Sequence, residues 1–197
     1  MIEGVLARPT IFQITGPPAV GKLTVAKELV VRLGPRAILL DNHSVANPFL
    51  ELAGQDGVTR LPDEVWLYVR RAKALLIEAA EALTPLEWSF VFTNYIIEDD
   101  SAVESFERVA GFARRRQAPL VPVVLECSEE ELARRVGNED RRLNSKLVDA
   151  ALLQSFLERP CFVPEHPNRV ILSTDDLAPS EAAEKIIAHA SGSSLVM

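Results

Sequence analysis

The stretch Thr10-Ile-Phe-Gln-Ile-Thr15-Gly16-Pro-Pro-Ala-Val-Gly21-Lys22-Leu23-Thr24 decides the fold of this chain. Thr10–Thr15 is a short β-branched run. It enters directly into Gly16-Pro17-Pro18-Ala19-Val20-Gly21-Lys22, which fits GxxxxGK without a gap between a strand and a helix. Gly16 lets the chain leave the strand sharply, and Gly21 lets backbone approach a phosphate closely. The amides from about Ala19 through Val20, Gly21, Lys22 and Leu23 to Thr24 then converge as an anion nest at a helix N-terminus. Lys22 is placed to reach β- and γ-phosphates. The position after the lysine, where a Ser or Thr hydroxyl commonly binds Mg²⁺, holds Leu23, and Thr24 follows one step later. One step turns a helical side chain by about 100°, so Thr24 is not a simple replacement for that ligand.

Outward from this loop the elements alternate. Lys22–Leu33 has helical apolar spacing (Val25, Leu29, Leu33) and stops at Gly34-Pro35. Further strands are expected at Arg36–Asp41, Ser89–Thr93, Leu120–Cys127 and Arg169–Thr174. Continuous apolar runs such as Val121-Pro-Val-Val-Leu125 suit burial on both faces of a parallel sheet, with Pro122 near the strand's start. Ser101-x-x-Glu104 and Ser128-x-x-Glu131 read as capping boxes. Pro62 fits a first helical turn, followed by one buried stripe of Val65, Val69, Ala72, Leu76, Ala79 and Leu83. Pro179 opens a last helix with Ala183, Ile186 and Ile187 inward, and Ser191–Met197 is expected to fray. Strands alternating with helices imply right-handed crossovers and a three-layer α/β sandwich.

The bulk numbers agree. A chain of 197 residues with 48% hydrophobic content suits one domain, and a net charge of −7 argues against a general nucleic-acid surface. The ~20 apolar residues of a membrane span are not met with, and the N-terminus lacks signal-peptide character. Cys127 and Cys161 belong to no metal or redox pattern and read as reduced, buried thiols of a cytoplasmic protein.

From Thr10 to Ala190 the chain resembles the small-molecule and nucleotide kinases of the adenylate-kinase and shikimate/gluconate-kinase type. The GK-x-T register is shared with that branch, where the threonine hydroxyl touches phosphate and water helps hold the metal. The resemblance implies the three-layer P-loop NTPase fold, a five-stranded parallel sheet in order 2-3-1-4-5. It implies one kinase-like domain over 1–197, with an acceptor-binding insertion at about 42–84 and an arginine-bearing lid at about 134–147. It implies ATP and Mg²⁺ as cofactors, with Thr24 the tentative metal contact.

Asp41-Asn42-His43 follows the second strand at the sheet edge where such folds bind ligands. A carboxylate there serves as proton acceptor, orienter or water-mediated Mg²⁺ holder, or simply caps the next helix. An acidic residue at this strand end is also what the resemblance implies. His43 is an acceptor contact or a solvated capping residue. Asn47–Arg60 is read as loop-rich. Trp66, Arg70 and Lys73 share a helix face off the apolar stripe, suited to a planar or anionic acceptor or to plain solvation. No Asp directly follows the third strand, and Asn94 there orients water or acceptor. Arg135, Arg141 and Arg142 are the candidate lid arginines for the charge developed in phosphoryl transfer; the bland alternative is a surface helix of Glu–Arg pairs. Arg114–Arg116 is expected to be solvated. The expected activity is ATP-dependent transfer to an unidentified small-molecule acceptor. The alternatives are a nucleoside or nucleotide kinase, or a regulatory ATPase. Acceptor identity, base preference and oligomeric state are not legible.

Overall fold

The structure, a computed structural model, describes residues 6–56, 61–99, 101–137, 153–154, 157–192 and 195–196. Five strands, β1 (Ile11–Thr15), β2 (Ala37–Leu40), β3 (Ser89–Thr93), β4 (Leu120–Glu126) and β5 (Val170–Ser173), form one sheet in the order β2-β3-β1-β4-β5. Every pairing is parallel, as the apolar, unalternating strands require. Pro122 lies opposite Gln13 of β1, and β5 joins β4 only from Val123 onward. The proline therefore sits where β4 has a single neighbour.

The described helices are α1 (Lys22–Leu33), α2 (Asn42–Leu52), α3 (Asp63–Leu83), α4 (Ala102–Arg115), α5 (Glu129–Val136) and α6 (Pro179–Gly192). They cover both faces of the sheet. On one face Phe12, Ile14, Val123 and Leu125 pack against Leu29 of α1, Leu132 of α5 and Ile186 of α6. On the other, Ile11, Phe90 and Phe92 meet Ile77 of α3 and Phe106, Val109 and Phe112 of α4. Phe112 stands edge-on to Phe90 and Phe92 at 5.0 and 5.6 Å between ring centroids, a favoured aromatic geometry. Among the described residues no helix is long and apolar enough to cross a membrane.

Several expectations need correction. The helix α2 runs on to Leu52 through ground expected to be loop, because Asp41 caps it and Ala46 and Leu50 bury against Val69 of α3. The stripe on α3 does not run straight. Val65 and Val69 face α2 while Ile77 and Ala80 face the sheet, and Leu83 is 81% exposed. A helix with two different partners along its length has no single buried line. Ser101 makes no side-chain cap; its own N–H and hydroxyl both donate to Asp99, leaving its oxygen turned away from the helix. Arg116 is not solvated but buried, its guanidinium over the Phe90 ring and bonded to the Pro85 carbonyl and Thr84. Both cysteines are half-buried. The described part of the tail is docked: Leu195 is buried, and Val196 N–H donates to the Asn168 side chain.

Candidate active site

The carboxyl ends of the strands carry the site. At the end of β1, Gly16 has φ 144°, and a Cβ built there would lie 2.4 Å from the Leu125 carbonyl oxygen. No side chain fits that approach. Ala19 follows at φ 69°, an uncommon conformation for alanine, and Gly21 is the N-cap of α1 at φ 98°. Gly21 has no side chain to cap with, and the first turn of α1 holds no acidic residue. The helix α5 is the contrast: Ser128 accepts from Glu131 N–H, and three glutamates occupy the first turn. The amides at the start of α1 are thus left for an anionic ligand, which the helix dipole also favours. Lys22 Nζ donates to the Gly16 and Pro17 carbonyls at 2.7 Å each, folding back over the loop.

The loop is braced from behind. Thr174, buried at the end of β5, has its hydroxyl 3.1 Å from the Val20 carbonyl. Arg135 Nη1 donates to that hydroxyl at 3.1 Å and its Nη2 to the Thr174 carbonyl at 2.7 Å. Glu131 holds Arg135 Nε at 2.6 Å, and its hydrogen bonds from Arg134 and Arg135 pull its carboxyl down to about 2. Asp175 accepts from the Ser128 hydroxyl and N–H and from Ser173, which hold its carboxyl well below the usual range. The expected capping box at Ser128 is therefore half-formed, with Asp175 doing the work expected of Glu131. Of the expected lid arginines, Arg135 is engaged in this brace; Arg141 and Arg142 lie outside the described residues.

Beside the loop, between α3, α4 and the ends of β1–β3, lies a cavity of about 220 Å³. Asp41, Trp66, Arg70, Lys73 and Asn94 all line it, so one hollow gathers most of the acceptor residues expected from sequence. His43 is not among its lining residues; its Nδ1 lies 3.3 Å from the Asn47 side-chain oxygen. Asp41 is buried and bonded at both oxygens. One carboxylate oxygen accepts from the N–H groups of His43 and Ser44 as the α2 cap, and the other accepts from the Thr93 hydroxyl at 2.6 Å.

Gln13, Tyr95 and Arg108 also line the cavity and were not anticipated. Gln13 is 1% exposed, and among the described residues neither its Nε2 nor its Oε1 has a partner. Leaving a buried polar group unsatisfied costs roughly 1–3 kcal/mol. An amide in the middle of the apolar run Ile11-Phe-Gln-Ile14 was a signal available in the sequence. Tyr95 connects the two halves of the site: its ring centroid lies 5.8 Å from Lys22 Nζ. Burial, with the nearby Cys161, pushes its hydroxyl up to about 12, so it stays a neutral hydrogen-bonding group. Burial, then the charges of Arg108 and Arg70, bring the Lys73 ammonium down to about 8, with Asp41 opposing.

The cradle fits a triphosphate, since Gly16, Ala19 and Gly21 shape backbone no side chain replaces. Magnesium requires only one or two protein ligands beside phosphate oxygens and water. Thr24 offers an exposed hydroxyl in the first turn of α1. Among the described residues no group of three or more His, Cys, Asp and Glu side chains forms a metal centre.

Comparison with known proteins agrees with this geometry. The AAA domain family (AAA_33) matches residues 11–159. A comparison with curated proteins finds no match. Among solved structures, a gluconokinase from Sinorhizobium meliloti superposes with a TM-score of 0.64 at 17% identity, covering 92% of this chain and 91% of that one. The Mycobacterium tuberculosis APS kinase, in complex with AMPPNP and APS, gives 0.57 at 16%, covering 92% and 97%. Chaetomium thermophilum Kti12, in complex with ADP-AlF3, gives 0.57 at 16%, covering 90% and 95%. At these identities the likeness is one of fold. With its matched sequence, its 2-3-1-4-5 sheet and its glycine-built loop, the chain belongs to the AAA domain (AAA_33) family of P-loop proteins and has the fold of small-molecule kinases.

Proposed function

We propose that the protein is an ATP-dependent phosphotransferase whose acceptor is a small molecule held in the cavity between α3 and α4. The observation that carries this is Tyr95, which lines the cavity and stacks near Lys22. The lysine end of the phosphate loop and the cavity thus share Tyr95 as a neighbour. When bound, ATP with Mg²⁺ supplies the phosphoryl group and its charge neutralisation. The chain's own residues do the rest. Amides from Ala19 to Thr24 bind the phosphates, Lys22 exchanges its loop carbonyls for phosphate oxygens, and Thr24 is the metal contact. Asp41 and Asn94 orient the acceptor hydroxyl, with one Asp41 oxygen still able to receive its proton beside the Thr93 bond. Trp66 and Arg70 close over the acceptor from α3, within the insertion at about 42–84. The lid at about 134–147 supplies Arg141 or Arg142 at the γ-phosphate, while Arg135 positions the loop through Thr174.

The test is ADP release measured against a panel of hydroxy acids, sugars, nucleosides and nucleoside monophosphates. One class should raise the rate well above ATP alone, and Lys22→Ala should abolish the increase. A second reading is a nucleotide-dependent regulatory ATPase. It is favoured by the hydrogen bonds already made at both Asp41 oxygens and by the likeness to Kti12. It predicts slow ATP loss that no acceptor accelerates.

A further inference from the structure

The cavity beside the phosphate loop is charged on one side only. Lys73 and Arg70 of α3 and Arg108 of α4 line it, and the one carboxylate in its lining, Asp41, is taken up by Thr93 and the α2 amides. Arg108 is paired at 2.9 Å with Glu104, a side chain 73% exposed to solvent. Neither Lys73 nor Arg70 makes a hydrogen bond or ion pair among the described residues. Lys73 and Arg108 are half-buried and Arg70 is exposed at the rim; like charges gathered around a hollow repel one another unless an anion lies between them. At the floor, Gln13 offers an N–H donor and a carbonyl acceptor, both buried and both without a partner among the described residues, where the Asn42 side-chain oxygen is likewise unpaired. A donor and an acceptor on one amide match a hydroxyl, which gives and receives one hydrogen bond each.

The geometry points to an acceptor that is an anion at one end and a hydroxyl compound at the other, its anionic group among Lys73, Arg70 and Arg108 and a hydroxyl on Gln13. Neutral sugars and nucleosides do not satisfy the cations. Carboxylate and phosphate ester share the needed chemistry. That the ligand is also the phosphate acceptor rests on the kinase reading; that the cavity binds such an anion does not.

Lysine acetylation by acetic anhydride, followed by mass spectrometry, reads the site without turnover. The protein is first saturated with Mg·ADP so that the phosphate loop is taken. Glycerate or glycerol 3-phosphate should slow Lys73 modification about tenfold, and glycerol should not; which anion protects better distinguishes carboxylate from phosphate. By calorimetry, Arg70→Gln, an exposed position that folding tolerates, and Lys73→Met should each weaken the protecting anion about tenfold. Affinity for Mg·ADP should hold. Gln13→Leu should weaken glycerate more than inorganic sulfate. Equal Lys73 modification with and without both anions, or unchanged anion affinity in Arg70→Gln and Lys73→Met, overturns the proposal. Protection of Lys73 with no acceptor-dependent ADP release leaves the anion site standing and removes the kinase reading. Phosphorylation of a neutral compound at the wild-type rate by Lys73→Met does the reverse.

Discussion

The phosphate loop and the cavity beside it are built from different materials. The loop is backbone: its shape comes from Gly16, Ala19 and Gly21 within a few residues of chain, and its donors are amides. The cavity is side chain: Gln13 from β1, Asp41 from the end of β2, Lys73 from α3, Tyr95 after β3 and Arg108 from α4. A backbone site tolerates changes of side chain except where a Cβ intrudes. A side-chain site is retuned by almost any substitution, so one loop can serve many acceptors.

This difference orders the expected effects of mutation. Lys22→Ala removes the only side-chain charge the loop supplies, and turnover should fall by roughly 10²–10³-fold. Its thermal midpoint should move far less than its turnover, since both hydrogen bonds described for Lys22 go to carbonyls of its own loop. Gly16→Ala attacks the backbone itself. The strained φ costs about 1–3 kcal/mol before the collision with Leu125 is counted. Urea unfolding and nucleotide binding should therefore fail together, which no cavity variant should reproduce.

On the cavity side, Asp41→Asn separates two roles. Asparagine caps a helix about as well as aspartate but turns its NH2 toward the Thr93 hydroxyl, so stability should fall by only about 1 kcal/mol, for that buried bond, while turnover drops. Asp41→Ala should in addition lose about 1 kcal/mol of cap. If Asn keeps full turnover, Asp41 is a cap alone.

The pH dependence singles out Lys73, faced by Arg70, Arg108 and Asp41. Its ammonium is held at about 8, below the ordinary lysine value of 10.5. In the free protein, the unfolded chain binds more protons between these values, so stability should rise with pH from about 8 toward 10.5. Below about 8 that contribution is lost. Anion binding runs the other way, full below about 8 and weakening above it as the charge disappears. Lys73→Met should flatten both profiles. The smallest effect is expected from Thr174→Val, which breaks the brace from Arg135 to Val20 at about 1 kcal/mol.

The same difference explains what was legible in the sequence. The strands, the helices and the loop were readable because strand, turn and helix there follow one another in the chain, and GxxxxGK needs no tertiary context; the order of the strands came only with the family resemblance. Asp41, Trp66, Arg70, Lys73 and Asn94 were singled out from position and helical phase, and all five line one cavity. Arg108 was hidden by an ordinary i,i+4 partner, Glu104, that makes it look like a surface residue. Arg116 was misjudged because two flanking arginines do form exposed pairs, with Glu107 and Glu81, while it alone turns inward over Phe90. The expected capping role of Glu131 went to Asp175, which lies 47 residues from Ser128 and comes beside it only through β5.

The destination of the γ-phosphate tests the joint working of loop and cavity most directly. ³¹P NMR of the protein with Mg·ATP and an anionic hydroxyl compound that protects Lys73 resolves phosphate esters from inorganic phosphate. A new phosphate ester should grow one for one with ADP, and Lys22→Ala should not form it. Growth of inorganic phosphate alone, at a rate no such compound changes, would contradict a cavity built to receive the phosphoryl group.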